Sequence, residues 1–583
     1  MRRLLSRYLG IFKWQVACVL LFVACQVAGE LSLPTVMARI VDVGLPAGDM
    51  GYILSRGGIM LLLSLGQVAA MLGVGYFSSR VSAGIGRAMR RDIFVNAESF
   101  SLNEMDSIGV SSMIKRNTGD VTILQNFSVM LMRMMLTAPI MFIGSIVLTF
   151  SINKELAKVL LVSVPLLLVL FGVVISIGTK LFGVLKQKDD RLNLLLREHL
   201  SGTRVIRAFV NQKTERDKFE KGNEELYRIS LKVSRIVTAL MPGLFLVINM
   251  TTVAVCYFGA VQIEAGGMQV GQLMSFVQYV TQILMSIAML SMLMVILPRA
   301  NVSAKRINEV LDLRTAISDP SAPKVPSSTD VPKGTLEFKN VSFTYPGGDA
   351  PVLNNISFTA KGGSTTAIIG STGSGKSTLL SLIPRLYDCS KGQVLLDGQD
   401  VRDYAVKDLR DRIGYVPQKG YLFSGTIADN IRFGCPLATD EQVESALRTS
   451  QAWDFVASKE DGVDEEVSQG GKNVSGGQKQ RLAIARAIVR DCEVYVFDDS
   501  FSALDFETDS RLRAALANDE RLSKATRIIV AQRVSTIMNA DEIIVLDNGS
   551  VVGRGRHSQL LKECPLYHEI ASSQLSEEEL GNE

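Results

Sequence analysis

Eight residues, GSTGSGKS at 370–377, carry the spacing G-x-x-x-x-G-K-S, which lets backbone N–H groups close around phosphate oxygens. They follow the apolar TTAIIG and precede TLLSLIPRLY. Strand, loop and helix in that order are what such a cradle needs, because the helix N-terminus adds partial positive charge. In that setting Gly370, Ser371, Thr372, Gly373, Ser374, Gly375 and Thr378 surround the phosphates. The Lys376 ammonium reaches the β- and γ-phosphates, and the Ser377 hydroxyl is placed to ligate Mg²⁺. Further on, VYVFDD at 494–499 reads as a buried strand ending in two acids. Asp498 suits the magnesium shell, and Asp499 stands where a nucleotide hydrolase would carry a general base.

These residues sit in the second half of a two-part chain. Of 583 residues 47% are hydrophobic, and the mean hydropathy is +0.23, too apolar for an ordinary soluble two-domain protein. The net charge of +4 points neither toward nor away from nucleic acid. The seven cysteines show no paired spacing and read as reduced thiols. With three histidines, His199, His557 and His568, a histidine-rich metal site is not expected.

Apolarity is concentrated in the first 300 residues or so. Charge-free runs cover 57–79, 134–153, 159–179, 236–263 and 265–298, and a sixth, 14–38, is broken only by Glu30. Each can cross a hydrocarbon core, so six membrane helices are expected, and a cleaved signal peptide is not. Lys and Arg are dense in 180–235 (fourteen) and 80–133 (seven) and sparse elsewhere, which places the N-terminus and both long loops in the cytoplasm. These loops read as membrane helices running on far past the bilayer and turning back. A Pro- and Ser-rich linker occupies 314–335, and strand and helix patterns alternate from 336 to 583. The fold class is thus a six-helix all-α transmembrane domain, 1–313, followed by an α/β P-loop nucleotide-binding domain.

The segment NVSGGQKQRLAIARAI, 473–488, carries the SGGQ-plus-helix signature of ABC ATPases. The whole chain resembles an ABC exporter half-transporter of the multidrug and lipid type (type IV). That resemblance implies ATP and Mg²⁺ as cofactors. It implies that Tyr345 in SFTYPG stacks on adenine, that Gln418 in GYVPQKG touches the metal and the membrane domain, and that SALD, 502–505, lies at a dimer interface. Ser475, Gly476, Gly477 and Gln478 open a helix and so offer N–H groups and a positive dipole end. In the family they are given to the γ-phosphate held by the other domain's P-loop, so the chain must dimerise.

Two positions depart from the family pattern. Glutamate is usual where Asp499 stands, and a switch histidine where Gln532 stands in RIIVAQRVSTI. Aspartate is one methylene shorter, and a base needs hydrogen-bond reach to its water. Glutamine lacks the charge of a protonated imidazole. With SQGGKNVSGGQ at 468–478, the chain resembles the degenerate subunit of a heterodimeric exporter. The implied partner is a second half-transporter with the catalytic Glu and switch His. The alternatives are a homodimer with slow turnover, or an ATP-gated or regulatory module. A soluble DNA-linked ABC ATPase is excluded by the six spans, so no nucleic acid is expected.

In the membrane half, Glu30 is an intramembrane carboxylate and so a candidate cavity residue, against the bland reading of a packing group. The methionine-rich LMRMML (131–136) and MSIAMLSMLM (285–294), with Met285, Gln278 and Gln282, suit a polyspecific apolar cavity, against plain helix packing. The substrate class is amphipathic: a drug, a lipid or a hydrophobic peptide. Docking helices are expected near 117–125 and 211–218. Pro34, Pro139, Pro165, Pro242 and Pro298 are expected as tolerated kinks. The absence of a transit-type segment suits a bacterial plasma membrane.

Overall fold

The computed structural model describes residues 1–324 and 332–575. Residues 325–331 of the expected linker lie outside the described residues. So do the side chains of 292–295, which include part of the second methionine-rich stretch. The described chain forms two compact units. One comprises Met1–Glu98 and Gly109–Leu313; the other comprises Ser99–Ile108 and everything from Arg314.

The first unit holds six helices long and apolar enough to cross a membrane. Their principal segments are α1 (Lys13–Arg39), α2 (Met50–Glu98), α4 (Val121–Ile152), α5 (Leu160–Ser201), α7 (Gln212–Glu264) and α8 (Val270–Asp312). The short α6 (Thr203–Ala208) lies between α5 and α7, and α3 (Leu102–Ile108) belongs to the second unit. Helix α2 has 49 residues and α7 has 53. At ~1.5 Å per residue each runs well beyond the ~30 Å hydrocarbon core. Helices α5 and α7 pair through Lys188 Nζ, 2.8 Å from Glu225 Oε2, with Arg191 3.8 Å from the same oxygen. The five intrahelical prolines interrupt no assigned helix.

In the most apolar window of α2 only 11% of the residues are buried inside the chain. Leu61, Leu62, Leu65 and Leu72 are exposed. That hydrophobicity is directed at an environment outside the chain, as a membrane helix requires. Between helices, polar groups act as fasteners. The Tyr279 hydroxyl donates to the Leu31 carbonyl at 2.6 Å and shares a 2.6 Å bond with Thr35. The Gly271 N–H donates to Asp42 at 2.6 Å.

The second unit is built on two sheets. Strands β1 (Leu336–Phe343), β2 (Leu353–Ala360), β4 (Lys391–Leu396) and β5 (Gln399–Asp400) form an antiparallel sheet in the order β2-β1-β4-β5. The larger sheet runs β12-β11-β3-β10-β9-β6, from β3 (Thr365–Gly370), β6 (Ile413–Val416), β9 (Val494–Asp498), β10 (Thr526–Val530), β11 (Glu542–Asp547) and β12 (Ser550–Gly555). It is parallel except where β12 pairs antiparallel with β11. A two-stranded ribbon joins β7 (Gly425–Thr426) and β8 (Glu466–Val467). Every residue of β9 is buried, as a strand covered on both faces must be. Register then sets the site: Val530 of β10 lies opposite both Ile368 of β3 and Asp498 of β9. The phosphate loop after β3 and the acids after β9 therefore emerge at the same carboxyl edge, one strand apart, where parallel sheets bind ligands.

Candidate nucleotide site

The loop leaving β3 enters α9 (Lys376–Leu382) through two left-handed glycines, Gly373 at φ +86° and Gly375 at φ +94°. A side chain at Gly375 would press against Leu353 at 2.7 Å, whereas Gly373 faces open space. Both positions need glycine, one for packing and one for close approach of a ligand. Ser371, Thr372, Gly373 and Ser377 are exposed, while Ser374 and Thr378 are buried beneath them. The Lys376 ammonium lies across the loop, donating to the Gly370 and Ser371 carbonyls at 2.9 and 2.7 Å. Burial lowers its pKa, against the pull of Asp499 and Asp498.

Ser377 Oγ donates to Asp498 Oδ1 at 2.9 Å. Burial raises the Asp498 carboxyl above its ordinary value, Asp499 adds to the rise, and Ser377 and Lys376 oppose it. The hydroxyl and carboxylate are hard oxygen donors side by side. One such pair, with water and phosphate oxygens filling the remaining positions, is a donor set that Mg²⁺ accepts. Among the described residues no cluster of three His, Cys, Asp or Glu offers a denser alternative. The residues present therefore fit Mg²⁺ held by Ser377 and Asp498, where it would neutralise developing phosphate charge.

Asp499 is 5% exposed and sits at φ +47°. Aspartate tolerates this left-handed region better than most residues do. Its N–H donates to the Val530 carbonyl at 3.0 Å. One carboxylate oxygen, Oδ2, receives both glutamine amides, Gln532 Nε2 at 2.7 Å and Gln418 Nε2 at 3.3 Å. The chain thus brings Lys376, Ser377, Asp498, Asp499, Gln418 and Gln532 to one place. The Tyr345 hydroxyl bonds Thr378 Oγ1 at 2.9 Å and the ring meets Tyr387 edge-on, so the aromatic borders the same loop while remaining 37% exposed.

The SGGQ segment lies elsewhere on the unit surface. Ser475 caps α10 (Gly476–Ile488), and a reciprocal bond from Gln478 completes a capping box. Ser475 and Gly476 are exposed, and Gly477 lies against Ala503 and Leu504 of SALD. Asp505, the last residue of SALD, caps α11 (Phe506–Asn518) by accepting from Thr508 N–H at 2.9 Å.

In the membrane unit, Gln278 and Met285 are exposed on α8. Gln282 is engaged in packing: its Oε1 accepts from Ser145 at 3.1 Å and its Nε2 donates to the Glu30 carbonyl at 3.5 Å. Glu30 is half-buried. Residues 116–120 form a π-helical turn of the first unit, where Asp120 accepts from Ser303 at 2.8 Å. The segment grouped with the nucleotide unit is instead 99–108. There Glu104 accepts from the Ala316 N–H at 3.2 Å and Asp106 from the Tyr387 hydroxyl at 2.9 Å. Burial pushes Glu104 up, but its bonds from Ser101 and Ala316 outweigh it and leave it below the ordinary carboxylate range. Asn211 is the N-cap of α7, so 212–218 begin a long helix, and the short separate helix is α6.

Sequence reasoning missed Tyr387, Asp106 and Gln574, none of which lies in a motif. We expect Tyr387→Phe to cost about 1–2 kcal/mol locally, the value of one hydrogen bond. Hydrogen–deuterium exchange should show faster amide exchange across 99–108, with ATP binding retained.

Residues 16–287 match the family described as ABC transporter transmembrane region, and 353–502 match ABC transporter. An uncharacterized ABC transporter ATP-binding protein of Mycobacterium tuberculosis is 44% identical over 98% of both chains. A fatty acid ABC transporter ATP-binding/permease protein of Mycobacterium bovis is 32% identical over 83% of this chain and 75% of its own. Among solved structures, a bacterial Atm1-family ABC exporter with ATP bound superposes with a TM-score of 0.81 at 26% identity, covering 97% of this chain and 99% of the other.

Proposed function

This chain belongs to the ABC transporter family as an exporter half with the Atm1-family fold, and on that premise we propose that it is the slow-site subunit of a heterodimer exporting amphipathic substrates. As a family member it is a multi-pass membrane protein that couples ATP hydrolysis to transport and works as a dimer in the bilayer. Lys376 and the loop 370–378 hold the phosphates, Ser377 and Asp498 hold Mg²⁺, and Tyr345 stacks on the adenine. The partner's signature closes over this nucleotide, while Ser475–Gln478 of this chain close over the partner's.

The observation that carries the reading is the capture of Asp499 Oδ2 by Gln532 at 2.7 Å. A general base must be held where it reaches the attacking water, and an amide on Oδ2 holds this carboxylate toward Gln532. Here the short carboxylate is engaged by an amide that brings no charge of its own. The site holds ATP and cleaves it poorly, and turnover falls to the site completed by the partner's glutamate and histidine. Closure of the two nucleotide domains turns the membrane cavity outward, and product release resets it.

The amphipathic substrate class rests on the exposed apolar and thioether side chains of α8, Met274 and Met285 with Gln278. The fatty-acid assignment of one relative falls within that class. Glu30 completes the candidate cavity set, while Gln282 is taken up in packing by Ser145 and the Glu30 carbonyl. The Lys and Arg density of 80–133 and 180–235 supports a cytoplasmic N-terminus and nucleotide unit, and the membrane of this reading is a bacterial plasma membrane.

Purification of the tagged chain from its native membrane, with stoichiometric companions identified by mass spectrometry, tests this. The expected companion is a second half-transporter with Glu after its strand aspartate and a switch His. Recovery of this chain paired only with itself overturns the division of labour.

A further inference from the structure

The loop carrying Gln532 lacks local support. Strand β10 ends at Val530 and α12 (Val534–Ile537) begins four residues later. The first N–H groups of any helix have no partner within it and need one from outside. Ser, Thr, Asp or Asn normally supplies it at the N-cap. Here the N-cap is Arg533, whose side chain makes no capping bond.

The missing partner comes from the end of the described chain. Helix α13 (Pro565–Ser572) is anchored by Tyr567 and Ala571, both fully buried. Leu575 packs against the same core. Between them, Gln574 is fixed by its own N–H donating to the Ala571 carbonyl at 3.0 Å. Its side-chain Oε1 accepts the Val534 N–H at 2.8 Å, and its Nε2 donates to the backbone carbonyl of Gln532 at 2.9 Å. One amide therefore grips the loop on both sides of Arg533, as a neighbouring strand would. From the other side Arg513 of α11 donates to the Ser535 carbonyl at 3.1 Å. The Gln532 side chain, its backbone so held, donates to Asp499.

We propose that Gln574 is a positioning residue, holding the Gln532 backbone so that the Gln532 amide stays on Asp499, and so setting how long this site retains its nucleotide. This rests on the reading of 370–378 and Gln532 as nucleotide machinery; it does not depend on the identity of the partner. Gln574 touches neither phosphate nor metal. It acts through two backbone bonds that fix where Gln532 begins. Without them, Gln532 is freed to leave Asp499 and engage the γ-phosphate in other orientations. Nucleotide release is therefore the step that responds.

The test uses the full dimer as purified, with Mg²⁺ and radiolabelled ATP. Dissociation rate, ATPase kcat and KM, and thermal midpoint are measured for Gln574→Ala, Gln574→Glu, Gln532→Ala and the double Gln574→Ala/Gln532→Ala. Gln574→Ala is expected to change the dissociation rate by roughly 3- to 10-fold, the scale of one or two hydrogen bonds. Gln574→Glu keeps the acceptor for Val534 and loses the donor to Gln532, so it is expected to fall between wild type and Gln574→Ala. The double variant should match Gln532→Ala alone, because the clamp acts only through that side chain.

An equal effect of Gln574→Ala with and without Gln532 overturns the proposal, as does a lowered thermal midpoint with an unchanged rate. If Gln532→Ala leaves the rate unchanged while Lys376→Ala removes binding, the proposal falls because Gln532 has no role. If Lys376→Ala leaves binding intact, the nucleotide-site reading has failed instead.

Discussion

Replacing Gly477 by Asp is expected to abolish ATP turnover of the assembled transporter, by ~100-fold or more, while Asp499→Ala changes it by less than about 3-fold. The first variant keeps the backbone N–H, but its carboxylate repels the γ-phosphate and pushes it off the helix terminus, a loss on the scale of removing an oxyanion-type donor. Gly477 lies near the start of α10 beside Ala503 and Leu504. On the proposed reading its N–H belongs to the helix terminus that this chain lends to the partner's nucleotide. On that reading Asp499 belongs to the chain's own site, where its Oδ2 accepts from both Gln532 and Gln418. Steady-state ATPase of the purified complex reads both variants. Loss of turnover on Asp499→Ala comparable to that on Gly477→Asp would mean that this chain's own site does the hydrolysis.

The second large effect is a gain. Asp499→Glu together with Gln532→His is expected to raise turnover at this chain's site by ~100-fold, within the range contributed by a positioned general base. It is read in a complex whose partner's own base has been replaced by its amide. Either change alone should give far less. Glutamate alone would still be met by the Gln532 amide, and histidine alone would pair with a carboxylate one methylene short of the water. The backbone opposes the change: at φ +47° glutamate is less at ease than aspartate, at a cost of about 1 kcal/mol. A slightly lower thermal midpoint should therefore accompany the gain. A double variant that folds, binds ATP and turns over no faster would show that the two residues are not what slows the site.

Much of this arrangement was legible in the sequence because its physics is local. GSTGSGKS, SGGQ and the acids after β9 are set by a strand, a turn and a helix within a few residues, so their spacing specifies their geometry. The six spans were legible because a hydrocarbon layer demands ~20 apolar residues from each crossing. The tie of 99–108 to the nucleotide unit was not. Residues 117–125 carry a single charge, Asp120, and it is buried against Ser303. Residues 102–108 space Leu102, Met105 and Ile108 three apart, as many short helices do, and the bonds that tie them to the nucleotide unit go to Ala316 and Tyr387, over two hundred residues away. Gln574 escaped for the same reason. Its partners are backbone groups 40 and 42 residues earlier, and no spacing rule links a terminal glutamine to an uncapped helix. Gln282 reads as a cavity residue by composition, but its amide is taken up by Ser145 and the Glu30 carbonyl.

The grouping of 99–108 with the nucleotide unit means that the polypeptide changes unit three times, after Glu98, Ile108 and Leu313. The nucleotide unit is therefore a discontinuous object, and a fragment cut at the linker is not a whole one. A protein beginning at Arg314 would lack the carboxylates that accept the Ala316 N–H and the Tyr387 hydroxyl. Tyr387 is the ring against which Tyr345 stands, so the excised fragment would be altered next to the residue proposed to stack on adenine. Nucleotide affinities measured on it would describe a domain missing part of itself.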